Sequence, residues 1–227
     1  MEKQRKRFLP ELTEFHDYSW VIYLIIFAVY YVFDFLVSIL LPNPMGLSFI
    51  TYIPLLLIVL YLFRGLLFRD LKAFAENWKR YIPFVLLGLL VFNNLPIIGI
   101  GITHLVTGDI VPPNQQALDS AFSQTPFLGL FMIVIAAPIV EELMYRRALR
   151  ELVRNRWFYY ALSALLFGLT HIWIGFIFPV SFVYSITYII SGFVLAVIYE
   201  RSNNIWCCIF IHFLNNSLGM IAMLAAQ

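Results

Sequence analysis

Three groups of polar side chains interrupt long apolar segments of this chain, and each group has its members at spacings that suit a helix. The groups are Glu141-Glu142-x-x-x-Arg146, Phe167-x-x-x-His171 and His212-x-x-x-Asn216. An i,i+4 spacing places both members of a pair on one face of a helix. Ionisable side chains are costly inside a bilayer, so they are by default candidates for a functional site.

Taken together, these residue types could form a hydrolytic site. A carboxylate can act as a general base toward water, and a histidine can orient that water. A His–Asn pair can donate hydrogen bonds to a developing oxyanion. Two histidines and a glutamate are equally a zinc ligand set with an open fourth position. The residues alone leave both chemistries open, with zinc or with no cofactor.

Each group taken singly also has a purely structural explanation. Glu142 and Arg146 could form a helix-surface ion pair worth a few tenths of a kcal/mol. A single histidine on an apolar helix is more often a packing residue than a catalyst. The ion pair leaves Glu141 unexplained, because Glu141 projects about 100° away from Glu142 around the helix.

The composition indicates the elements that must position these side chains. Of 227 residues, 62% are hydrophobic and 12% are charged, whereas roughly 45–50% apolar residues is usual in soluble domains. Apolar runs of about 20 residues predict membrane-spanning helices. We therefore predict an all-α, polytopic membrane protein that forms a single membrane-embedded domain of about seven helices, with an eighth left open.

The positions of the basic residues predict the orientation in the membrane. All 15 Lys and Arg residues fall in four clusters, namely Lys3–Arg7, Arg64–Arg80, Arg146–Arg156 and Arg201. Under the positive-inside rule these clusters and the N-terminus are cytoplasmic. The N-terminal cluster Lys3–Arg7 is thus explained as a signal for orientation in the membrane. No other basic surface supports nucleic-acid binding.

The apolar runs give approximate boundaries for the spans. The predicted spans are Trp20–Leu41, Leu47–Phe63, Tyr81–Thr103, Phe127–Tyr145, a helix starting at Trp157, Phe176–Tyr199 and Ile205–Ala226. Arg64–Arg80 is predicted as a separate helix on the membrane surface, and His104–Thr125 as a loop that contains a solvated His104. A kink or a half-buried polar patch is predicted at Asn93, Asn94 and Pro96. Asp34 is predicted to make a hydrogen bond within the bundle. Gly192 favours close helix packing.

The three motifs, in this order and on separate apolar segments, resemble those of the CPBP family. This family comprises the CAAX prenyl protease and bacteriocin-processing intramembrane proteases, and it is also called the Abi family. Its EExxxR, FxxxH and HxxxN/D motifs are all present without substitution, within about Phe127–Leu218. Residues 127–218 would thus form the catalytic core, and residues 1–126 hold spans without a family motif.

The resemblance implies a role for each motif residue. Glu141 would be the catalytic glutamate and would act with His171 on the attacking water. His212 and Asn216 would form the oxyanion site, and Glu142 and Arg146 would brace the first motif. The ligands of a metal, if one is bound, would be Glu141, His171 and His212. The family has been described both as metalloproteases and as metal-free glutamate proteases, and the sequence does not decide between them.

The function that this resemblance implies is that of an intramembrane endopeptidase of the bacterial plasma membrane. Its partners would be the lipid bilayer and a peptide or membrane-protein substrate, such as a leader peptide, cleaved near the cytoplasmic leaflet. Two other classes remain open. One is a catalytically inactive scaffold or bacteriocin self-immunity protein. The other is a small transporter, which the absence of internal repeats disfavours.

Overall fold

The computed structural model describes residues 22–26, 28–30, 32, 44–108, 126–172 and 179–225, and these form helices and turns without a β-strand. The helices are α1 (Pro44–Glu76), α2 (Trp78–Asn94), α3 (Ile97–Thr107), α4 (Pro126–Leu152), α5 (Arg156–Thr170), α6 (Ser185–Ser202, preceded by a 3-10 turn at Pro179–Tyr184) and α7 (Ile205–Ala225). The all-α prediction is confirmed for this part of the chain. Asp34 lies outside the described residues.

Four helical stretches among the described residues are long and apolar enough to cross a membrane. They are Trp78–Thr107, Pro126–Leu152, Phe182–Ser202 and Ile205–Ala225. A helix suits the bilayer because it satisfies its backbone hydrogen bonds within the segment. The chain is therefore a helical membrane protein. The total of seven or eight spans and the cytoplasmic N-terminus stay predictions.

Two predicted boundaries are wrong, and one predicted interruption is confirmed. Helix α1 continues through Arg64 to Glu76, with no proline between them, so there is no separate surface helix over Arg64–Arg80. Helix α3 includes His104 and ends only at Thr107, where Gly108 with a φ of 79° provides a left-handed cap. The predicted kink is present as a turn between α2 and α3.

Helix α4 contains two wide, π-helical turns, at Phe131–Ala136 and Leu143–Ala148. The backbone N–H of Ala137 donates to the carbonyl of Met132, five residues earlier. The same five-residue pattern joins Leu149 to Met144. The regular α-helical turns between these segments, Ala137–Glu142, carry both glutamates. Such π turns are frequent at functional sites.

Glycines let α5 and α6 pack with their backbones almost in contact. A Cβ atom built on Gly192 would lie 3.0 Å from both Ala164 Cα and Phe167 Cβ. A Cβ on Gly168 would lie 3.0 Å from the backbone nitrogen of Ile189. The close packing predicted at Gly192 is thus confirmed, and it brings α6 against the helix that carries His171.

The start of α7 is tied to α1 by three hydrogen bonds around the buried Asp70. The backbone N–H of Ile205 donates to Asp70 Oδ2 (3.0 Å), and the Asn204 side chain donates to the Asp70 carbonyl (2.7 Å). The Trp206 indole donates to the carbonyl of Leu67 (2.8 Å). Because the N-terminal N–H groups of a helix lack partners within the helix, this arrangement fixes where α7 begins.

We expect Asp70→Ala to lower the free energy of unfolding by about 1–3 kcal/mol, because the buried Ile205 N–H loses its acceptor. Denaturant unfolding in detergent micelles measures this change. The control is Glu76→Ala, which removes an exposed ion pair to Lys72 (3.9 Å) and should cost less than about 1 kcal/mol. Equal effects of the two substitutions would contradict a structural role for Asp70.

Candidate active site

Glu142 and Arg146 form a fully buried ion pair rather than the helix-surface pair that their spacing alone would allow. Both side chains are 0% exposed, and Arg146 Nε lies 2.9 Å from Glu142 Oε2. A second contact joins Arg146 Nη2 to Glu142 Oε1 at 3.4 Å. Because desolvating two charges is expensive, such a pair is weak evidence for stability and needs another explanation.

Two residues of helix α5 also contact the Arg146 guanidinium. Arg146 Nη1 donates to Ser163 Oγ (2.9 Å), and Ser163 Oγ donates to the carbonyl of Tyr145 (3.0 Å). The guanidinium carbon also lies 4.8 Å from the centre of the Phe167 ring. Arg146 therefore has a fixed position, set by an ion pair, a hydroxyl and an aromatic face.

Helix α7 brings His212 to the same carboxylate. His212 Nδ1 lies 3.0 Å from Glu142 Oε1, and the His212 side chain is 7% exposed. Glu142 thus contacts Arg146 and His212 at once. Sequence analysis assigned Glu142 only a bracing function within its own motif and did not predict the contact with His212, because that contact joins residues 70 positions apart.

His171 lies at the C-terminal end of α5 and faces Glu141. Its Nδ1 lies 2.7 Å from the carbonyl oxygen of Phe167. Because a carbonyl can only accept, this contact assigns the hydrogen to Nδ1 and leaves a lone pair on Nε2. His171 Nε2 lies 4.0 Å from Glu141 Oε2, and both side chains are largely buried. Two hydrogen-bond acceptors therefore face each other across a narrow gap.

The ring of Phe167 is the common contact of both histidines. Its centre lies 4.6 Å from the His171 ring and 5.9 Å from the His212 ring. With Arg146 on the same ring, helices α4, α5 and α7 meet at one cluster. Five of the six predicted site residues belong to it, namely Glu141, Glu142, Arg146, His171 and His212.

The sixth predicted residue, Asn216, is one helical turn from His212 and is bonded to helix α4. Its Nδ2 donates to the carbonyl of Ile133 in the first π turn (2.8 Å), and its Oδ1 accepts from Asn215 (3.2 Å). One amide hydrogen is thus used to join α7 to α4. Whether the other serves an oxyanion stays a prediction.

The metal ligand set considered from sequence is not arranged as a metal centre. Within the described residues, no three His, Cys, Asp or Glu side chains are grouped so that they could hold a metal ion. Cys208, one turn before His212, is buried and its sulfur lies 3.4 Å from the carbonyl of Leu195. The geometry of Glu141, His171 and His212 therefore does not fit a bound zinc ion.

Several residues that surround the cluster were not predicted from the sequence. Ser163 anchors Arg146, Tyr145 donates from its hydroxyl to Thr170 Oγ1 (3.1 Å), and the ring of Tyr188 stacks on His171. Ser163 precedes Phe167 by four residues, so helical spacing could have placed it on the same face. Tyr188 lies on another helix, and no local pattern in the sequence marks it.

The fold and the cluster define a helical membrane protein that encloses glutamates, histidines and an arginine at the junction of three helices. The chain belongs to the type II CAAX prenyl endopeptidase Rce1-like family, whose family model matches residues 123–218. This match includes all six predicted site residues. The predicted family resemblance is confirmed.

Three curated relatives are similar to parts of the chain. An "Uncharacterized protein" of Mycoplasma capricolum subsp. capricolum is 29% identical over 68% of this chain and 48% of its own length. The "Putative membrane peptidase YdiL" of Bacillus subtilis is 27% identical over 49% of this chain and 43% of its length. The "UPF0177 protein YbdI" of Lactococcus lactis subsp. lactis is 30% identical over 54% of this chain and 68% of its length.

The chain spans less than half the length of the first two of these relatives. No solved structure matches the chain.

Proposed function

We propose that this protein is an intramembrane endopeptidase that hydrolyses a peptide bond of a membrane-associated protein or leader peptide, with Glu141 as the general base. The observation that carries the proposal is the 4.0 Å separation of Glu141 Oε2 from His171 Nε2. Family membership supports peptide-bond hydrolysis as the reaction. The proposed location is the plasma membrane, which the protein crosses several times.

The gap between these two acceptors suits one water molecule. If a water oxygen lay about 2.8 Å from each acceptor, the angle between the two acceptors at that oxygen would be about 90°. This is close to the angle between the two O–H bonds of water. It would donate one hydrogen to Glu141 and one to His171. Its lone pairs would then point away from both residues, toward the position of a substrate carbonyl carbon.

The proposed reaction uses Glu141 twice. As the water oxygen attacks the carbonyl carbon, Glu141 takes the water proton and a tetrahedral oxyanion forms. When the C–N bond breaks, the electron pair goes to the nitrogen, and Glu141 returns the proton to the leaving amine. The products are a carboxylic acid and an amine, so atoms and charges balance. His171 keeps the water oriented during the attack.

His212 is the proposed donor to the oxyanion, and Glu142 and Arg146 hold it in place. A donor at His212 Nε2 requires hydrogens on both ring nitrogens, and the Glu142 carboxylate beside Nδ1 would stabilise the hydrogen there. Arg146 holds this carboxylate in place through its own ion pair. Asn216 is the proposed second donor. Donors held in place before the reaction stabilise developing charge at little reorganisation cost.

Cleavage by purified protein tests this function. Protein in liposomes is mixed with prenylated CAAX-type peptides and with leader peptides, in water enriched in ¹⁸O. We expect one ¹⁸O atom in the new C-terminal carboxylate, and undiminished cleavage after treatment with EDTA and with 1,10-phenanthroline. Loss of activity with chelators, restored by zinc, would contradict the metal-free reaction. Absence of cleavage of every peptide would instead favour a scaffold or immunity protein.

A further inference from the structure

The imidazole of His171 contacts two aromatic rings that come from different helices. Phe167, on α5, has a centroid separation of 4.6 Å from the imidazole and an interplanar angle of 41°. Tyr188, on α6, is stacked on it at 4.3 Å and 18°. The Tyr188 ring is thus nearly parallel to the imidazole and closer to it than Phe167.

The position of Tyr188 follows from the glycine contacts between α5 and α6. Gly168 lies three residues before His171, and a Cβ atom there would be 3.0 Å from the Ile189 nitrogen and 3.1 Å from the Ser185 carbonyl. Tyr188 is next to Ile189 in the sequence. The absence of a side chain at Gly168 therefore brings the backbone of α6 near enough for a flat ring to cover His171.

His171 needs such support because its own helix ends there. The regular turns of α5 stop at Thr170, and residues 171–172 form a turn. The contact from Nδ1 to the Phe167 carbonyl fixes one atom of the ring, but the ring could still tilt about that atom. A stacked ring restricts this tilt, since offset-stacked aromatic pairs have preferred geometries and contribute about 0.5–1.5 kcal/mol.

We propose that Tyr188 is a positioning residue, which keeps the plane of His171 turned so that Nε2 faces Glu141. The proposal rests on the function proposed above for its effect on catalysis, whereas its effect on the imidazole is independent of that function. The flat face of the ring is the required feature.

The test compares Tyr188→Phe with Tyr188→Leu. Phenylalanine keeps the stacked face, so kcat should stay within about 3-fold of the wild-type value. Leucine is apolar but not flat, and we expect kcat to fall about 30–100-fold with KM little changed, since small misplacements of catalytic groups can cost about 100-fold. Equal loss in both variants, or wild-type kcat in Tyr188→Leu, would overturn the proposal.

Tyr160→Leu is the matched control. Tyr160 also joins α5 to α6, through an edge-on contact with Phe193 at 5.9 Å. Its other ring contacts in the described part of the chain are with Trp157 and Tyr159. Its replacement should lower the unfolding midpoint about as much as Tyr188→Leu while kcat of the folded protein is unchanged. Equal loss of kcat in the control would show that helix packing alone explains the effect, and would overturn the proposal.

A spectroscopic measurement separates this proposal from the function itself. In protein labelled with ¹⁵N-histidine, the His171 signals are identified by their loss in His171→Gln. Wild type and Tyr188→Phe should show hydrogen on Nδ1 and ring-current-shifted carbon-bound protons, and Tyr188→Leu should keep the hydrogen on Nδ1 but change the shifts of the carbon-bound protons. Unchanged His171 signals in Tyr188→Leu would overturn the proposal even in a protein that cleaves no peptide. Changed signals without any cleavage would instead locate the failure in the proposed function.

Discussion

Replacing Glu141 by Gln should lower kcat for peptide cleavage by about 10³-fold, within the range of about 10²–10⁴ that general-base catalysis contributes. Glutamine keeps the size of the side chain, but its amide cannot take a proton from water. The unfolding midpoint should change little, because the substitution leaves the Glu142–Arg146 pair intact. Initial cleavage rates at saturating peptide, measured on purified variants, give the comparison.

Two further variants give this experiment its controls. Glu76→Gln changes an exposed carboxylate on α1 and should leave kcat unchanged. His171→Gln should lower kcat while the protein stays folded, because the water would lose one of its two acceptors. If Glu141→Gln cleaves peptides at the wild-type rate, the carboxylate is not the base and the proposed mechanism is wrong.

Arg146→Met should be the most destabilising of the substitutions considered, at about 3–5 kcal/mol, because it leaves the Glu142 carboxylate buried without its cation. Glu142→Gln combined with Arg146→Met removes both charges and should recover much of this loss. The amide oxygen of glutamine could still accept from His212 Nδ1. Denaturant unfolding in micelles of the two single variants and the double variant gives the coupling energy.

The exposed Lys72–Glu76 pair on α1, also at i,i+4 spacing, is the control for this cycle. Its coupling energy should be below about 1 kcal/mol. A similarly small coupling energy between Glu142 and Arg146 would contradict the claim that the two side chains stabilise each other as a buried ion pair. Recovery of stability without recovery of cleavage in the double variant would show that the charges serve the reaction rather than the fold.

Much of the fold could be predicted because membrane helices follow from composition and length. The motif residues could be chosen because ionisable groups within apolar runs are conspicuous. The continuation of α1 past Arg64 was missed, since an alternation of apolar and basic residues fits a surface helix and a long continuous helix equally well. The end of α3 could have been placed from Gly108, because glycine commonly ends a helix in the left-handed conformation.

The contacts that complete the site could not be predicted, because each joins residues far apart in sequence. The distances from His212 to Glu142 and from Tyr188 to His171 depend on how helices rotate against one another, which no local pattern records. Asp70 illustrates this limit. From the sequence, Asp70 is one charged residue among several on a basic helix. In the structure it is buried and accepts a hydrogen bond from the backbone N–H of Ile205.

The two π turns of α4 have a consequence for how this helix can change in length during evolution. A turn closed from residue i to i+5 holds one more residue than a regular turn. Deletion of a single residue at Leu143–Ala148 could therefore be absorbed by conversion to regular helix, whereas a deletion in the uniformly α-helical α5 would rotate everything beyond it by about 100°. Helix α4 thus has two places, one on each side of its paired glutamates, where the loss of one residue would restore a regular turn.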